Sequence, residues 1–151
     1  MAKGKLIRGN IEIRKSPIHR YGVFAKVDIK KGTIIEEAPS VILKGSIPEP
    51  LDDYAFGISI QENTYSQILA FGYASMINHS DKPNTDKNFD KDNEILILTA
   101  IKDIKKDEEV LHNYGKDWFR DREAIQILDK LEDNFYDGKL SIDDLRKILN
   151  D

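Results

Sequence analysis

The chain has 151 residues, 40% hydrophobic and 33% charged, which is the balance of one globular domain with room for a real core. It contains no cysteine, which excludes a disulfide framework and a zinc-thiolate site and permits a reducing compartment. The net charge of -4 argues against broad affinity for nucleic acid phosphates.

No apolar run approaches a membrane span, and Met1-Ala2-Lys3-Gly4-Lys5 lacks the apolar stretch of a signal peptide, so the expected location is cytoplasmic, with a nuclear or secreted role as the alternatives. Charge is unevenly placed. Residues 1–44 carry 10 Lys/Arg and 4 Asp/Glu, a balance of +6, whereas the remainder carries 13 and 23, a balance of -10. Glu49, Asp52, Asp53, Glu62, Asp81, Asp86, Asp90 and Asp92 fall in or near loops. Together they would suit a basic peptide; singly, each reads as ordinary solvated surface.

In chain order, Ile11-Glu12-Ile13-Arg14 alternates apolar and polar and reads as a half-buried strand, ended by Ser16-Pro17. A second strand begins at Gly22-Val23-Phe24-Ala25-Lys26. Asp28-Ile29-Lys30-Lys31-Gly32 is turn chemistry, followed by strands at Thr33–Glu37 and Val41–Leu43. Residues 45–65, with Pro48, Pro50 and Gly57, read as an insertion with little regular structure. Gln67 to Met76 reads as a short helix or turn, and Ile95 to Ile101 as the most buried strand.

Asp28-Ile29-Lys30-Lys31-Gly32 is echoed by Asp103-Ile104-Lys105-Lys106-Asp107, each turn standing between two strands. Asp107 in place of Gly32 is compatible with a left-handed residue, because Asp enters that region more easily than most side chains. The expected class is therefore mainly β. From Trp118 the pattern turns helical through Phe119, Ile125, Leu128 and Leu131, and Ser141 with Asp144 forms a capping box for a last helix to Leu149.

Two segments carry the chemistry. The first is Met76-Ile77-Asn78-His79-Ser80-Asp81-Lys82-Pro83-Asn84; the second, about thirty residues on, is Glu108-Glu109-Val110-Leu111-His112-Asn113-Tyr114-Gly115. With residues 10–25 they resemble the SET-domain family, which moves a methyl group from S-adenosylmethionine to a lysine amine. In that resemblance residues 10–25 are the opening segment, with Arg20-Tyr21-Gly22 keeping the second glycine of its Gly-x-Gly and carrying Arg20 at the first. Asn78-His79-Ser80 through Pro83-Asn84 is similar to the Asn-His loop, with Ser75 and Met76 in place of the usual Arg-Phe. Asn113-Tyr114 is similar to the closing segment, with Asn113 in place of the commoner Asp.

The resemblance implies a fold of several small sheets with a pseudoknot, covering residues 8–119 with a variable insert at 45–65, followed by a helical extension at 120–151. It implies S-adenosylmethionine as cofactor, held by Arg20, Tyr21, Gly22, Asn78 and His79 and closed by Tyr114, Trp118 and Phe119. Tyr114 would be the catalytic residue that orients the amine. Tyr54, Phe56 and Tyr73 are the channel candidates, and packing explains Tyr54 equally. The implied partner is a protein with a basic, histone-like lysine-containing segment, met by a monomer or homodimer. The departures at Arg20, Ser75 and Asn113 keep open a second reading, a non-catalytic module that binds a basic peptide.

Such a transfer is an in-line displacement in which the thioether leaves neutral, so it needs positioning rather than a general acid for the leaving group. It also needs an unprotonated amine, which an apolar channel favours. No metal site is expected: His19, His79 and His112, the only histidines, lack ligand spacing. Asp133, Asp137, Gly138, Leu140 and Asp144 fall at calcium-loop offsets, but Phe135 occupies a ligand position and Asp144 replaces the bidentate Glu.

Overall fold

A computed structural model of the chain describes residues 9–116 except 46, 49, 62 and 63, and beyond them residues 118, 119, 122, 131, 138, 139, 141–144 and 147. The chain divides into two compact units, Met1–Asn113 and Tyr114–Asp151. The first holds β1 (Ile11–Lys15), β2 (Tyr21–Ala25), β3 (Ile34–Leu43), β4 (Ala55–Gln61), β5 (Thr64–Ala70), β6 (Asn78–His79), β7 (Thr85–Asp90), β8 (Ile95–Ala100) and β9 (Glu109–His112). Two 3₁₀ turns, Leu51–Tyr54 and Tyr73–Met76, stand before β4 and β6.

The strands form two small sheets, β1-β2-β9-β6 and β4-β5-β3-β8-β7. This is the mainly β architecture of several small sheets that the sequence implies. Alternation along β8 turns Leu96, Leu98 and Ala100 into the core, each 1% exposed, while Ile95, Ile97 and Thr99 on its other face stay half-buried. Val23 of β2 and Val110 of β9 face one another in register and are both fully buried, which locks the first sheet to the same core.

Residues 34–43 form one strand rather than two. Its first half, from Ile34 to Pro39, pairs with β8, and its second half, from Ser40 to Leu43, pairs with β5. Pro39, which has no amide hydrogen to donate, sits where the pairing changes side. A bulge between Ile34 and Glu36 lets consecutive residues Ile35 and Glu36 both turn inward. The Glu36 carboxylate, 1% exposed, accepts the backbone N–H groups of Tyr73 at 2.9 Å and Ala74 at 2.7 Å. It thereby satisfies the open N-terminus of the second 3₁₀ turn.

Two local expectations are corrected. Residues 45–65 are not largely irregular: β4 and β5 pair from Ala55↔Leu69 to Gln61↔Thr64. Residues 67–70 belong to β5, so only Tyr73–Met76 is helical, and as a 3₁₀ turn. Pairing with β3 outweighs the local turn signals, since Ile68 is fully buried opposite Ile42.

The two Asp-Ile-Lys-Lys turns lock together. Ile29 N donates to Ile104 O and Ile104 N donates to Ile29 O, both at 2.8 Å. Asp28 accepts from Lys106 N at 2.9 Å and Lys105 Nζ at 3.2 Å. Asp103 accepts from Lys31 N at 2.9 Å and Lys30 Nζ at 2.8 Å. These bonds hold both carboxyls below the usual carboxylate range, the Lys106 amide leading for Asp28 and the Lys30 side chain for Asp103. Gly32 and Asp107 stand at matching positions with φ of +85° and +68°.

In the second unit, helical backbone is present at Lys116, Trp118, Phe119, Arg122, Leu131, residues 142–144 and Lys147. Ser141 Oγ donates to Asp144 Oδ2 at 2.6 Å and accepts from Asp144 N at 3.2 Å, so the capping box is formed. Asp144 is thus occupied as a cap; Asp133, Asp137 and Leu140 lie outside the described residues. No helix among the described residues is long and apolar enough to cross a membrane.

Candidate active site

The two motif segments meet backbone to backbone. Asn78 pairs with Leu111 and His79 with His112, in parallel. Beyond that short pairing, Ser80 N donates to His112 O at 3.0 Å, and Thr85 Oγ1 donates to Leu111 O at 2.8 Å. Asn84 acts as an extra piece of strand: its Nδ2 donates to Glu109 O at 2.8 Å, and its Oδ1 accepts from Leu111 N at 2.8 Å. A primary amide offers the same donor and acceptor as a peptide group, which is why Asn suits this place. Asn84 is 5% exposed.

The opening segment is tied to the same junction by Asn78. Its Nδ2 donates to Glu109 Oε1 at 2.8 Å, Tyr21 O at 3.1 Å and His19 O at 3.3 Å. Two hydrogens thus serve three acceptors. The other carboxylate oxygen of Glu109 accepts from Ser16 Oγ at 3.0 Å, and Ser16 N donates to Arg20 O at 3.1 Å. Arg20 has φ +40°, the left-handed region where glycine is at home. The backbone therefore keeps a glycine-like bend with an arginine in place.

Of the residues expected at the cofactor, Tyr21 is 50% exposed, Gly22 and Asn78 are buried, and His79 is half-buried with Nε2 3.2 Å from Asp81 Oδ1. Among the channel candidates, Tyr54 ends the first 3₁₀ turn and Tyr73 begins the second. Phe56 lies on β4 with its ring centroid 6.5 Å from that of His112. In the second unit Tyr114, Trp118 and Phe119 form one aromatic cluster, with centroids 4.9 Å apart for Tyr114–Trp118 and 4.8 Å for Trp118–Phe119. The Arg122 guanidinium lies 3.6 Å from the Trp118 centroid.

Sequence reasoning did not single out Glu109, Glu36, His112 or Lys87 for these roles. His112, 4% exposed, has Nε2 3.0 Å from Lys87 Nζ and Nδ1 3.4 Å from Thr85 O. The consistent assignment is Lys87 donating to Nε2 and Nδ1–H donating to the carbonyl. Burial, and then the Lys87 charge, push the His112 pKa down to about 4, so the ring is neutral near pH 7. Burial also lowers the Lys87 pKa, against the pull of Asp86. The available signal was positional: Lys87 stands between Thr85 and Phe89 on the inward face of β7.

With this geometry in place, the SET-domain family model matches residues 20–115. The chain belongs to the SET-domain family. The SET domain described here is 33% identical over 122 residues to a histone-lysine N-methyltransferase, H3 lysine-37 specific, of Schizosaccharomyces pombe, covering 77% of this chain and 81% of that protein. It is 28% identical over 130 residues to human histone-lysine N-methyltransferase 2D, covering 78% of this chain but only 2% of that much longer protein. A crystal structure of a candidate histone methyltransferase from Plasmodium falciparum matches with a TM-score of 0.60 and 36% identity, over 75% of this chain and 99% of that one. A humanized mutant of the Chaetomium thermophilum Polycomb Repressive Complex 2 matches at 0.54 and 26% identity, over 70% of this chain and 15% of that one. Family and relatives together make this SET domain a protein-lysine methyltransferase.

Proposed function

We propose that the methyl donor is S-adenosylmethionine and the acceptor a lysine side chain in a basic segment of a protein substrate, with residues 8–119 as the catalytic domain. The observation that carries the reading is the parallel pairing of Asn78-His79 with Leu111-His112. It joins the cofactor motif to the strand that leads, two residues later, to Tyr114.

The residues present fit the donor. The opening segment leaves the Tyr21 ring and the Arg20 side chain exposed, an aromatic surface and a cation suited to an adenosyl group and an amino-acid carboxylate. Asn78 fixes the carbonyls on either side of Arg20, which keeps the segment in one shape. Arg20, Tyr21, Gly22, Asn78 and His79 would hold the cofactor. When bound, the cofactor supplies a methyl group activated on a sulfonium.

The protein has two tasks. It must release the amine from its proton, against a free lysine pKa of about 10.4, and it must aim the lone pair. An aromatic channel drawn from Tyr54, Phe56 and Tyr73 would disfavour the ammonium by desolvation. The Tyr114 phenol, rigid and able to donate or accept, would orient the nitrogen.

The test is tritium transfer from labelled S-adenosylmethionine to host-cell proteins, with S-adenosylhomocysteine binding followed by calorimetry. Tyr114→Phe should bind S-adenosylhomocysteine like the wild type and lose roughly a hundredfold in transfer. Full activity in Tyr114→Phe would remove Tyr114 from the mechanism. Wild-type protein that gives no binding heat would favour the non-catalytic, peptide-binding reading.

A further inference from the structure

Along β7, Thr85, Lys87 and Phe89 share one face. Thr85 is 1% exposed and Phe89 packs against the core, so Lys87 projects a cation inward between them. Such a charge ordinarily has a counterion. Among the described residues the ion pairs are Arg14–Glu12, Arg14–Asp107, Lys30–Asp103, His79–Asp81 and Lys105–Asp28. Lys87 joins none of them. Its Nζ donates to the neutral His112 ring at 3.0 Å, and Asp86, on the opposite face, uses its carboxylate on the Lys87 backbone N–H at 2.8 Å. An ammonium has three donors, so two of them remain unassigned.

Lys87 also lines an open groove with residues 57–59 of β4, Asn88 and Phe89 of β7, and Leu96 of β8. β4 and β7 are the two outer strands of the five-stranded sheet, so the sheet curls until its edges flank one cleft. Among the described residues, Lys87 is the one charged residue in that lining. At the near end, Phe56 packs towards His112, and only Asn113 separates His112 from Tyr114 in the chain.

We propose that Lys87 is a specificity-determining residue, pairing with the carboxylate of an Asp or Glu side chain in a substrate peptide that lies in this groove. The inference rests on the methyltransferase reading and narrows its substrate: a lysine segment that is basic overall but carries one acidic residue at a fixed offset from the target. Charge complementarity carries the choice of occupant. A half-buried cation without a counterion gains most from an incoming carboxylate.

The experiment uses the full chain and synthetic peptide libraries with a central lysine. Each flanking position in turn is Glu or Gln, Asp or Asn, or Lys or Arg, and transfer is read by tritium. Wild-type protein should favour the acid at one offset by roughly tenfold. In Lys87→Met that ratio should fall to about one while other positional preferences stay, in Lys87→Arg it should persist, and in Lys87→Glu it should invert towards Lys or Arg at the same offset. Circular dichroism and S-adenosylhomocysteine calorimetry establish that each variant folds and keeps its cofactor site. An acid preference unchanged in Lys87→Met overturns the proposal, and so does wild-type protein with no acid preference at any offset. If wild-type protein also fails to bind S-adenosylhomocysteine, the methyltransferase reading falls with it.

Discussion

Glu109 fills the space that a side chain on Gly22 would need. A Cβ added to Gly22 would overlap Glu109 Oε1 and come within 2.9 Å of Asn78 Nδ2. The bare α-carbon lets β2 close over the Asn78–Glu109 pair, so the second glycine of the opening segment serves the packing of three segments against one another. That pair is what holds the opening strand, the Asn-His loop and the closing strand in one place.

Gly22→Ala should therefore destabilise by about 1–3 kcal/mol, the usual cost of forcing a methyl into a filled site. Gly9→Ala, where an added Cβ meets nothing within 4 Å, should stay within about 0.5 kcal/mol of wild type. Urea unfolding of both variants measures the difference. Equal stability would mean that Glu109 has another place to go.

Arg20 carries a backbone strain that substitution can expose. At φ +40° a β-branched side chain fares worst and glycine best. Arg20→Val should be less stable than Arg20→Gly by at least about 1 kcal/mol. Thermal melts of the two variants would show the order, and the reverse order would contradict the left-handed backbone.

Asn84 stands in for a stretch of strand, so its removal should be felt in the backbone of its neighbour. Asn84→Ala leaves Glu109 O and Leu111 N without the partners they now have at 2.8 Å, at a cost of about 2–3 kcal/mol. Amide exchange at Leu111 should accelerate more than exchange across β8. Uniform acceleration everywhere would instead indicate a global loss without a local role.

His112 should make stability depend on acid. Its folded pKa of about 4 lies below the ordinary 6.5, so the unfolded chain takes up a proton that the folded chain refuses. Stability from this group is then present above pH 6.5, falls as pH drops, and is lost below about pH 4, by at most on the order of 3 kcal/mol. His112→Gln, which keeps an acceptor for Lys87, should flatten that slope in urea titrations between pH 7 and pH 4. An unchanged slope would assign it to other groups.

The joining of the Asn-His loop to the tyrosine strand was legible through the resemblance of the two segments to the SET-domain family. The Asp-Ile-Lys-Lys echo was also legible, since an exposed turn states its geometry in its own residues, and Gly32 and Asp107 do share a left-handed backbone. The β4–β5 hairpin was hidden because Pro48, Pro50 and Gly57 give local turn signals while the pairing that decides it comes from β3, more than a dozen residues upstream. Glu36 and Glu109 were hidden for a different reason. An acidic residue in a strand reads as surface until a bulge or a partner amide brings it inside, and neither is written in neighbouring residues.

The reciprocal clasp between Ile29 and Ile104 has a consequence for how this chain is made. Its two halves are 75 positions apart in the sequence, and β2 receives its partner β9 only from residues that follow the second turn. A growing polypeptide must therefore expose Ile104 and the strand after it before the first fifth of the chain acquires its permanent neighbours. Loop closure over that span precedes the contacts that reward it. Docking of the opening strands should accordingly await synthesis through β9, and those strands should remain open to cleavage on a nascent chain halted before residue 104.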